Sequence, residues 1–388
     1  NKNYFMKKEN PEISIILPCQ NEEKTLLFCL RKIKEIILKN NLSAEIIVSD
    51  SSIDQSPEIA KSEGVILVKH DKNGYGRALK EGFKIARGKY IFFADADGTY
   101  DFEQIPVFIE ELKKGFDLVL GNRFGKKMEK GAMPFLRRYV GNPLFSLLFR
   151  VFFGIRIKDP HSGIRAFKKE ILKKLNLQTD GMEFASEMLI KAKRNNLKIK
   201  EIPTFYFKRQ GKSKLRNFSD GWQHLKLMIV YSPSLFFFLP GFFLFFLGGF
   251  FLIYSYFFPL SFWGIKFFYH PMFIFSLMVL VGYQLIFFAL FTKIYSFLIF
   301  KEKNKILEKL LKFLTIEKGI LFSFFLIVFG FLIYFFVFYE WIKFRFSPLL
   351  ETKRSIIALT LLFLGVQTFF FSFLLSILSL KKDDRDHF

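Results

Sequence analysis

The chain has 388 residues, a net charge of +23, and hydrophobic residues at 51% of positions. That length excludes a small stapled domain, and the two cysteines, Cys19 and Cys29, are too few for a disulfide framework and read as reduced thiols. Charge divides as +16 over residues 1–232 and +7 over 233–388, and the basic groups crowd toward the first long apolar stretch. This argues against nucleic-acid binding and for anionic small partners and an anionic bilayer face.

Met6-Lys7-Lys8-Glu9-Asn10 reads like a natural start, so residues 1–10 are taken as an N-terminal extension with no cleavable signal peptide. Ile13-Ser14-Ile15-Ile16-Leu17 is an apolar, β-branched run closed by Pro18, a buried strand. Residues 22–40 space Leu26, Leu30, Ile33 and Ile37 as a helix does. Strand 45–48 ends at Ser49-Asp50, helix 55–63 leads to strand 65–68, and helix 76–87 leads to strand 90–94. A helix over 102–114 and a strand over 117–121 follow. Short apolar strands alternating with helices predict an α/β fold with a largely parallel sheet over residues 11–232. In open sheets of this kind ligands sit at the carboxyl ends of the strands, where Asn21, Glu22, Asp50 and Asp95 fall.

Residues 133–153 are apolar and basic together, with Arg137, Arg138 and Arg150, and read as an interfacial segment lying on a membrane; a core helix is the alternative. A second basic segment, within 208–230, carries Lys208, Arg209, Lys212, Lys214, Arg216 and Lys226. Uncharged stretches at 233–258, 271–292, 319–339 and 355–380 each reach the length of about 20 residues that crosses hydrocarbon. They predict a four-helix transmembrane domain over 233–380 and a tail at 381–388. Six lysines in the loop 301–318 place it, the N-terminal domain and the tail in the cytoplasm, although the outer loop 342–354 carries four basic residues of its own.

Asp95-Ala96-Asp97 follows the strand 90–94 directly. Two carboxylates at a buried strand's end suit a hard cation, Mg²⁺ or Mn²⁺, that keeps several waters and bridges to nucleotide phosphates. With membrane spans downstream, this points to nucleotide-sugar chemistry at a bilayer surface. Arg123 fits a phosphate clamp, because guanidinium can hold two oxygens at once.

Together with these elements, several motifs closely resemble family 2 glycosyltransferases of the GT-A fold, in particular polyprenyl-phosphate sugar synthases. They are Leu17-Pro18-Cys19-Gln20-Asn21-Glu22-Glu23, Ser49-Asp50-Ser51-Ser52-Ile53-Asp54, Asn73-Gly74-Tyr75-Gly76-Arg77-Ala78, Ala94-Asp95-Ala96-Asp97-Gly98 and Gly121-Asn122-Arg123. Asp159-Pro160-His161-Ser162-Gly163-Ile164-Arg165 and Gly211-Lys212-Ser213-Lys214-Leu215 complete the series in the family's order. Gly181 to Glu187 and Asp220 to His224 look like a bacterial branch labelled dolichol-phosphate-glucose-synthase-like.

The resemblance implies a metal at Asp97 and Asp95, with Asp95 on the ribose or a metal-bound water, and a base-binding carboxylate at Asp50, which could also cap the helix 55–63. Pro18, Asn21, Glu22, Asn73 and Gly74 would line the nucleotide-sugar pocket. Asp159 resembles an active-site carboxylate that would orient an Arg or the metal, or assist if the phosphate arrives protonated, with Glu183 and Glu187 weaker choices. Arg137, Arg138, Arg165, Arg209, Ser213 and Lys214 would meet the lipid phosphate or the diphosphate. Two positions depart from the pattern: Cys19 stands where the family often has Tyr, and Thr99 where mannose synthases carry Gln. His161 and His224 lack the company of ligand-spaced Cys or His that a metal site needs.

The expected partners are a UDP- or GDP-linked sugar, a polyprenyl phosphate and the bacterial or archaeal plasma membrane; a homo-oligomer is compatible with the sequence. One direct displacement by the lipid phosphate would invert the anomeric carbon. Two rivals are a processive polysaccharide synthase of the same fold, whose Gln-x-x-Arg-Trp motif is missing after Gln223, and a non-enzymatic membrane adaptor or flippase. Scarce charge within the spans argues against an ion pump.

Overall fold

The structure, a computed structural model, describes residues 10–71, 74–126, 128–210, 217–262, 265–300, 315–346 and 351–383. Its chain divides into two compact units, the first ending at Met228 and the second beginning at Ile229.

In the first unit, β1 (Ile13–Cys19), α1 (Glu23–Lys39), β2 (Ala44–Asp50), α2 (Ser56–Ser62), β3 (Ile66–Lys69), α3 (Tyr75–Ile85) and β4 (Tyr90–Phe93) alternate as the sequence predicts. β1 lies between β2 and β4, parallel to both, in a register that sets Cys19 beside Asp50 and Ile16 beside Phe93. Covered on both faces, β1 has no alternation to show: Ile13, Ile15, Ile16 and Leu17 are all fully buried. Helix α1 turns Leu26, Leu30, Ile33 and Ile37 into the same core. The carboxyl ends of β1, β2 and β4 therefore open side by side.

The predicted helix over 102–114 is a 3-10 turn (Phe102–Gln104) followed by α4 (Ile105–Lys113). Asp101 caps the turn by accepting from the Glu103 amide, and Pro106 sits in the first turn of α4, where its missing N–H costs nothing. The seven-stranded sheet runs β3-β2-β1-β4-β6-β5-β7, with β5 (Leu118–Asn122), β6 (Arg165–Lys168) and β7 (Ile199–Pro203). Strand β6 is antiparallel to both β4 and β5 and separates them. At four residues, two of them cationic, it has no apolar run to announce it.

A π-helical turn (Arg137–Gly141) leads into α5 (Asn142–Phe153), which stops at Gly154 in the left-handed region at φ +64°. Phe135, Leu136, Tyr139, Val140, Leu144, Leu147 and Val151 are exposed, while Met133, Asn142 and Phe149 face inward. The apolar side thus points away from the core. Short α6 (Ile171–Leu175), α7 (Phe184–Arg194) and α8 (Asn217–Tyr231) complete the elements that begin in this unit.

The second unit holds α9 (Leu239–Phe257), a hairpin of β8 (Leu260–Phe262) and β9 (Ile265–Phe267), α10 (His270–Phe300), α11 (Ile316–Lys343) and α12 (Thr352–Asp383). Four helical segments, Leu235–Phe257, His270–Tyr295, Ile316–Lys343 and Thr352–Ile377, are long and apolar enough to cross a membrane. Small residues let these helices approach: a Cβ on Gly241 would lie 2.9 Å from the Gly282 carbonyl, and one on Gly365 3.0 Å from that of Ser323. A Ser276–Thr360 hydroxyl pair at 2.7 Å and a Tyr283–Thr368 bond tie α10 to α12.

Candidate active site

The first wall is a pair of loops zipped together at the ends of β1 and β2. Asn21, at φ +52°, donates its amide to Ser52 Oγ at 2.7 Å and accepts from the Ile53 amide at 2.9 Å. The Glu22 amide donates to Ser56 Oγ at 3.1 Å. Asp50 is fully buried, accepting from Ser52 Oγ at 2.5 Å and the Ser52 amide at 3.2 Å. It braces this turn and does not cap α2, whose Ser56 amide donates to Asp54 Oδ1 at 3.0 Å. Pro18 is half-buried within β1.

The second wall is the Asp95–Thr99 turn after β4. From behind, Thr25 Oγ1 and Cys29 Sγ donate to the Ala96 carbonyl at 2.8 and 3.5 Å. Asp97 is buried, and its Oδ1 accepts from the Thr99 amide at 3.1 Å and the Thr99 hydroxyl at 2.6 Å. Thr99, where an amide side chain was the comparison, is thus committed to aiming Asp97. Asp97 Oδ2 faces Arg209 Nη1 at 3.2 Å, and the other arm of the same guanidinium pairs with Glu22. Asp95 is poorly solvated. Burial first, and then the charge of Asp97, push its carboxyl up to about 7, against the opposing pull of Arg209 and Arg123. Gly163 crowds it, since a Cβ there would lie 2.3 Å from Asp95 Oδ2, and the Gly163 amide donates to Tyr100 Oη at 2.7 Å.

The third wall changes the reading of Arg123, expected as a phosphate clamp, by joining it to Asp159, which orients it as an active-site carboxylate could. They form a buried two-point pair, Nε to Oδ2 and Nη2 to Oδ1, both at 2.7 Å, reinforced by the Arg123 amide at 3.0 Å. The Arg123 guanidinium also lies 5.1 Å from the Tyr206 ring, which meets Tyr100 edge-on at 5.4 Å. Arg165 is corrected as well. It is buried, and its guanidinium donates to the backbone carbonyls of Ser162, Ala185 and Pro160 at 3.0, 2.9 and 2.8 Å, so it braces the loop before β6 and cannot wait for a lipid phosphate.

Arg137 is half-buried on the π-helical turn. Burial holds its pKa below the usual guanidinium value, with Tyr206, Arg123 and Asp220 in its field, so it shares the Arg123 side of the cleft. Arg138 lies over the Tyr139 ring at 5.2 Å instead. Gly74, at φ +140°, is demanded by this chain's own backbone, because a Cβ would meet the Asp180 carbonyl at 2.4 Å. Glu187 is buried and accepts from the amides of Gln178 and Thr179, and Glu183 from the Gly181 amide; both serve the turn before α7. Asn73, Ser213 and Lys214 lie outside the described residues.

The rings of His161 and His224 lie 4.2 Å apart, tilted by 48°, with Phe145 edge-on to both. His224 Nδ1 bonds Ser186 Oγ at 2.7 Å. Burial lowers both imidazoles, His161 well below its ordinary value and His224 to about 4, so both are neutral.

Among the described residues, no group of three or more His, Cys, Asp or Glu side chains is arranged to hold a metal alone. Two carboxylates with a guanidinium set across one of them fit a cation that takes its remaining ligands from phosphate and water. Sequence reading gave no role to Tyr100, Tyr206 or Gly163, and separated Arg209 from the carboxylates. The missing signal is tertiary. The strip Thr204–Lys208 runs beside the Asp95–Thr99 turn, with the Phe207 amide donating to the Thr99 carbonyl at 2.9 Å and Tyr206 bridging to Tyr100.

Residues 14–176 match the family described as Glycosyl transferase family 2, and 290–379 match the Glycosyltransferase family 2 C-terminal transmembrane region. The low-salt glycan biosynthesis hexosyltransferase Agl6 of Haloferax volcanii is 33% identical over 366 residues, 94% of this chain and 88% of that protein. The dolichyl-phosphate hexose transferase of the same organism is 30% identical over 54% of this chain and 89% of its own length. The dolichol-phosphate mannosyltransferase of Pyrococcus furiosus is 31% identical over 53% of this chain and 59% of its own.

Proposed function

We propose, from the premise that this chain belongs to glycosyltransferase family 2 and carries that family's C-terminal transmembrane region, that it transfers one sugar from a UDP- or GDP-linked donor to a polyprenyl phosphate. The observation that carries this reading is the meeting of Asp95 and Asp97 with Glu22 and Arg209 at the strand ends, in the field of Arg123. Asp97, with Asp95 beside it, would hold Mg²⁺ or Mn²⁺, which as a Lewis acid stabilises charge on a departing diphosphate. The Asn21–Glu22 and Asp50–Ser52 loops would frame the nucleotide. Asp50 would reach the base only if the Ser52 turn opened.

An alcohol acceptor needs a base to take its proton. Asp159, committed to Arg123 through both oxygens, is not placed to act as one. A lipid phosphate is already ionised near neutral pH and attacks C1 directly, so alignment and charge screening suffice. The displacement would invert the anomeric carbon. Arg137, with Arg123 behind it, and Arg209 would screen the two anions. The outward apolar face of 135–151, edged by Arg138 and Arg150, suits a segment resting on the bilayer. The lysine-rich 301–318 loop argues for a cytoplasmic catalytic domain. Relatives named for dolichyl-phosphate hexose and dolichol-phosphate mannose transfer support the acceptor class.

Membranes containing the protein, incubated with radiolabelled UDP- and GDP-sugars, should yield an organic-extractable product that releases its sugar in mild acid. Label appearing only in a water-soluble polymer would overturn the reading in favour of a processive synthase.

A further inference from the structure

Arg209 competes for the oxygens that the preceding reading assigns to a cation. Asp97 offers two oxygens, and Thr99 already holds Oδ1 through two hydrogen bonds. The other, Oδ2, faces Arg209 Nη1 at 3.2 Å, and the second arm of the guanidinium rests on Glu22. A divalent cation reaching Asp97 at Oδ2 must therefore take the place of Arg209, because two cations cannot share that oxygen without strong repulsion. Arg209 can be moved. Its backbone follows the strip that ends with the Lys208 amide donating to Glu129 Oε2 at 2.6 Å, and its side chain is 21% exposed at the edge of the cleft.

We infer that Arg209 is a displaceable counter-cation and positioning residue: it neutralises Asp97 and Glu22 until a divalent cation arrives, and then turns its guanidinium to the donor's diphosphate. The inference rests on the reading of Asp97 as the cation's carboxylate. Two consequences follow. Free cation binds poorly without nucleotide, because it must evict Arg209 with nothing to receive the guanidinium. Cation and nucleotide bind cooperatively, because the diphosphate supplies the evicted group with a new partner.

The test is Mn²⁺ binding to the full-length protein in neutral detergent, read from loss of the free-ion electron paramagnetic resonance signal, with wild type, Arg209→Gln, Arg209→Lys and Asp97→Asn. Without nucleotide, Arg209→Gln should bind Mn²⁺ roughly two- to fivefold more tightly than wild type, the range expected for removing a partly exposed competing ion pair. With saturating UDP or GDP the order should reverse, the variant binding Mn²⁺ less tightly because the diphosphate has lost a guanidinium. Arg209→Lys, which keeps the charge without the two-armed reach, should lie between. A residue that merely supports the fold would weaken binding in both conditions. Unchanged or weaker Mn²⁺ binding by Arg209→Gln without nucleotide overturns the role of Arg209 alone. Mn²⁺ binding by wild type that Asp97→Asn does not reduce overturns the cation reading beneath it.

Discussion

Gly163 stands against Asp95 so closely that a Cβ on the glycine would lie 2.3 Å from Asp95 Oδ2. The glycine comes from the loop before β6 and the carboxylate from the turn after β4, so the antiparallel pairing of those strands sets one against the other. The obstructing atom is the end of a side chain, which can swing aside. Gly163→Ala should therefore cost little stability, about 1 kcal/mol or less, while displacing Asp95 by roughly an ångström. Displacement of that size lowers turnover by about a hundredfold. Thermal melting and initial rates on the same preparation check this; wild-type turnover would show that Asp95 has no fixed position to lose.

Asp97→Ala should abolish transfer in a protein that still folds, because it removes the carboxylate that Thr99 aims. Asp97→Asn should be nearly as damaging, since it keeps the shape and loses the charge. Loss of about a hundred- to a thousandfold is expected, on the scale of removing one preorganised electrostatic element. Near-normal rates in saturating Mg²⁺ and Mn²⁺ would remove Asp97 from the site.

The Arg123–Asp159 pair separates a structural carboxylate from a catalytic base. Asp159→Ala leaves the Arg123 guanidinium buried without its partner and should destabilise the first unit by about 3–5 kcal/mol. Arg123→Met with Asp159→Leu should recover much of that stability, as replacement of a buried pair by apolar groups commonly does. Denaturant melts of the three proteins decide it; an Asp159→Ala variant as stable as wild type would free Asp159 for a chemical role.

His224 sets a pH limit on stability. Its imidazole titrates near 6.5 when unfolded and about 4 when buried, so the unfolded chain takes up a proton that the folded chain refuses. The stabilisation is present above about pH 6.5 and is lost as pH falls through 4, about 3 kcal/mol from this residue. His161, lowered in the same direction, adds to it. His224→Gln should flatten the fall in melting temperature between those limits, and equal slopes would show that His224 does not contribute to acid unfolding.

Much of this protein was legible along the chain because its signals are local. The apolar runs of β1, β2 and β4, the spacing in α1 and the four long uncharged stretches each need only their own residues to be read, and Asp95 and Asp97 declare themselves by following a buried strand. The single helix read over 102–114 failed only at its first turn, where Asp101 and Pro106 favour a 3-10 entry. What the tertiary structure decided was partnership. Arg123 and Asp159 are separated by 36 residues, and Arg209 and Glu22 by 187, with no periodicity to relate them. Arg123, Arg165 and Arg209 look alike in sequence, each a cation near a polar motif. One is matched to a carboxylate, one is spent on three carbonyls and one bridges the acidic pair. The difference comes from the short antiparallel β6 and the strip beside Tyr100, whose positions follow from packing the whole sheet rather than from the composition of either segment.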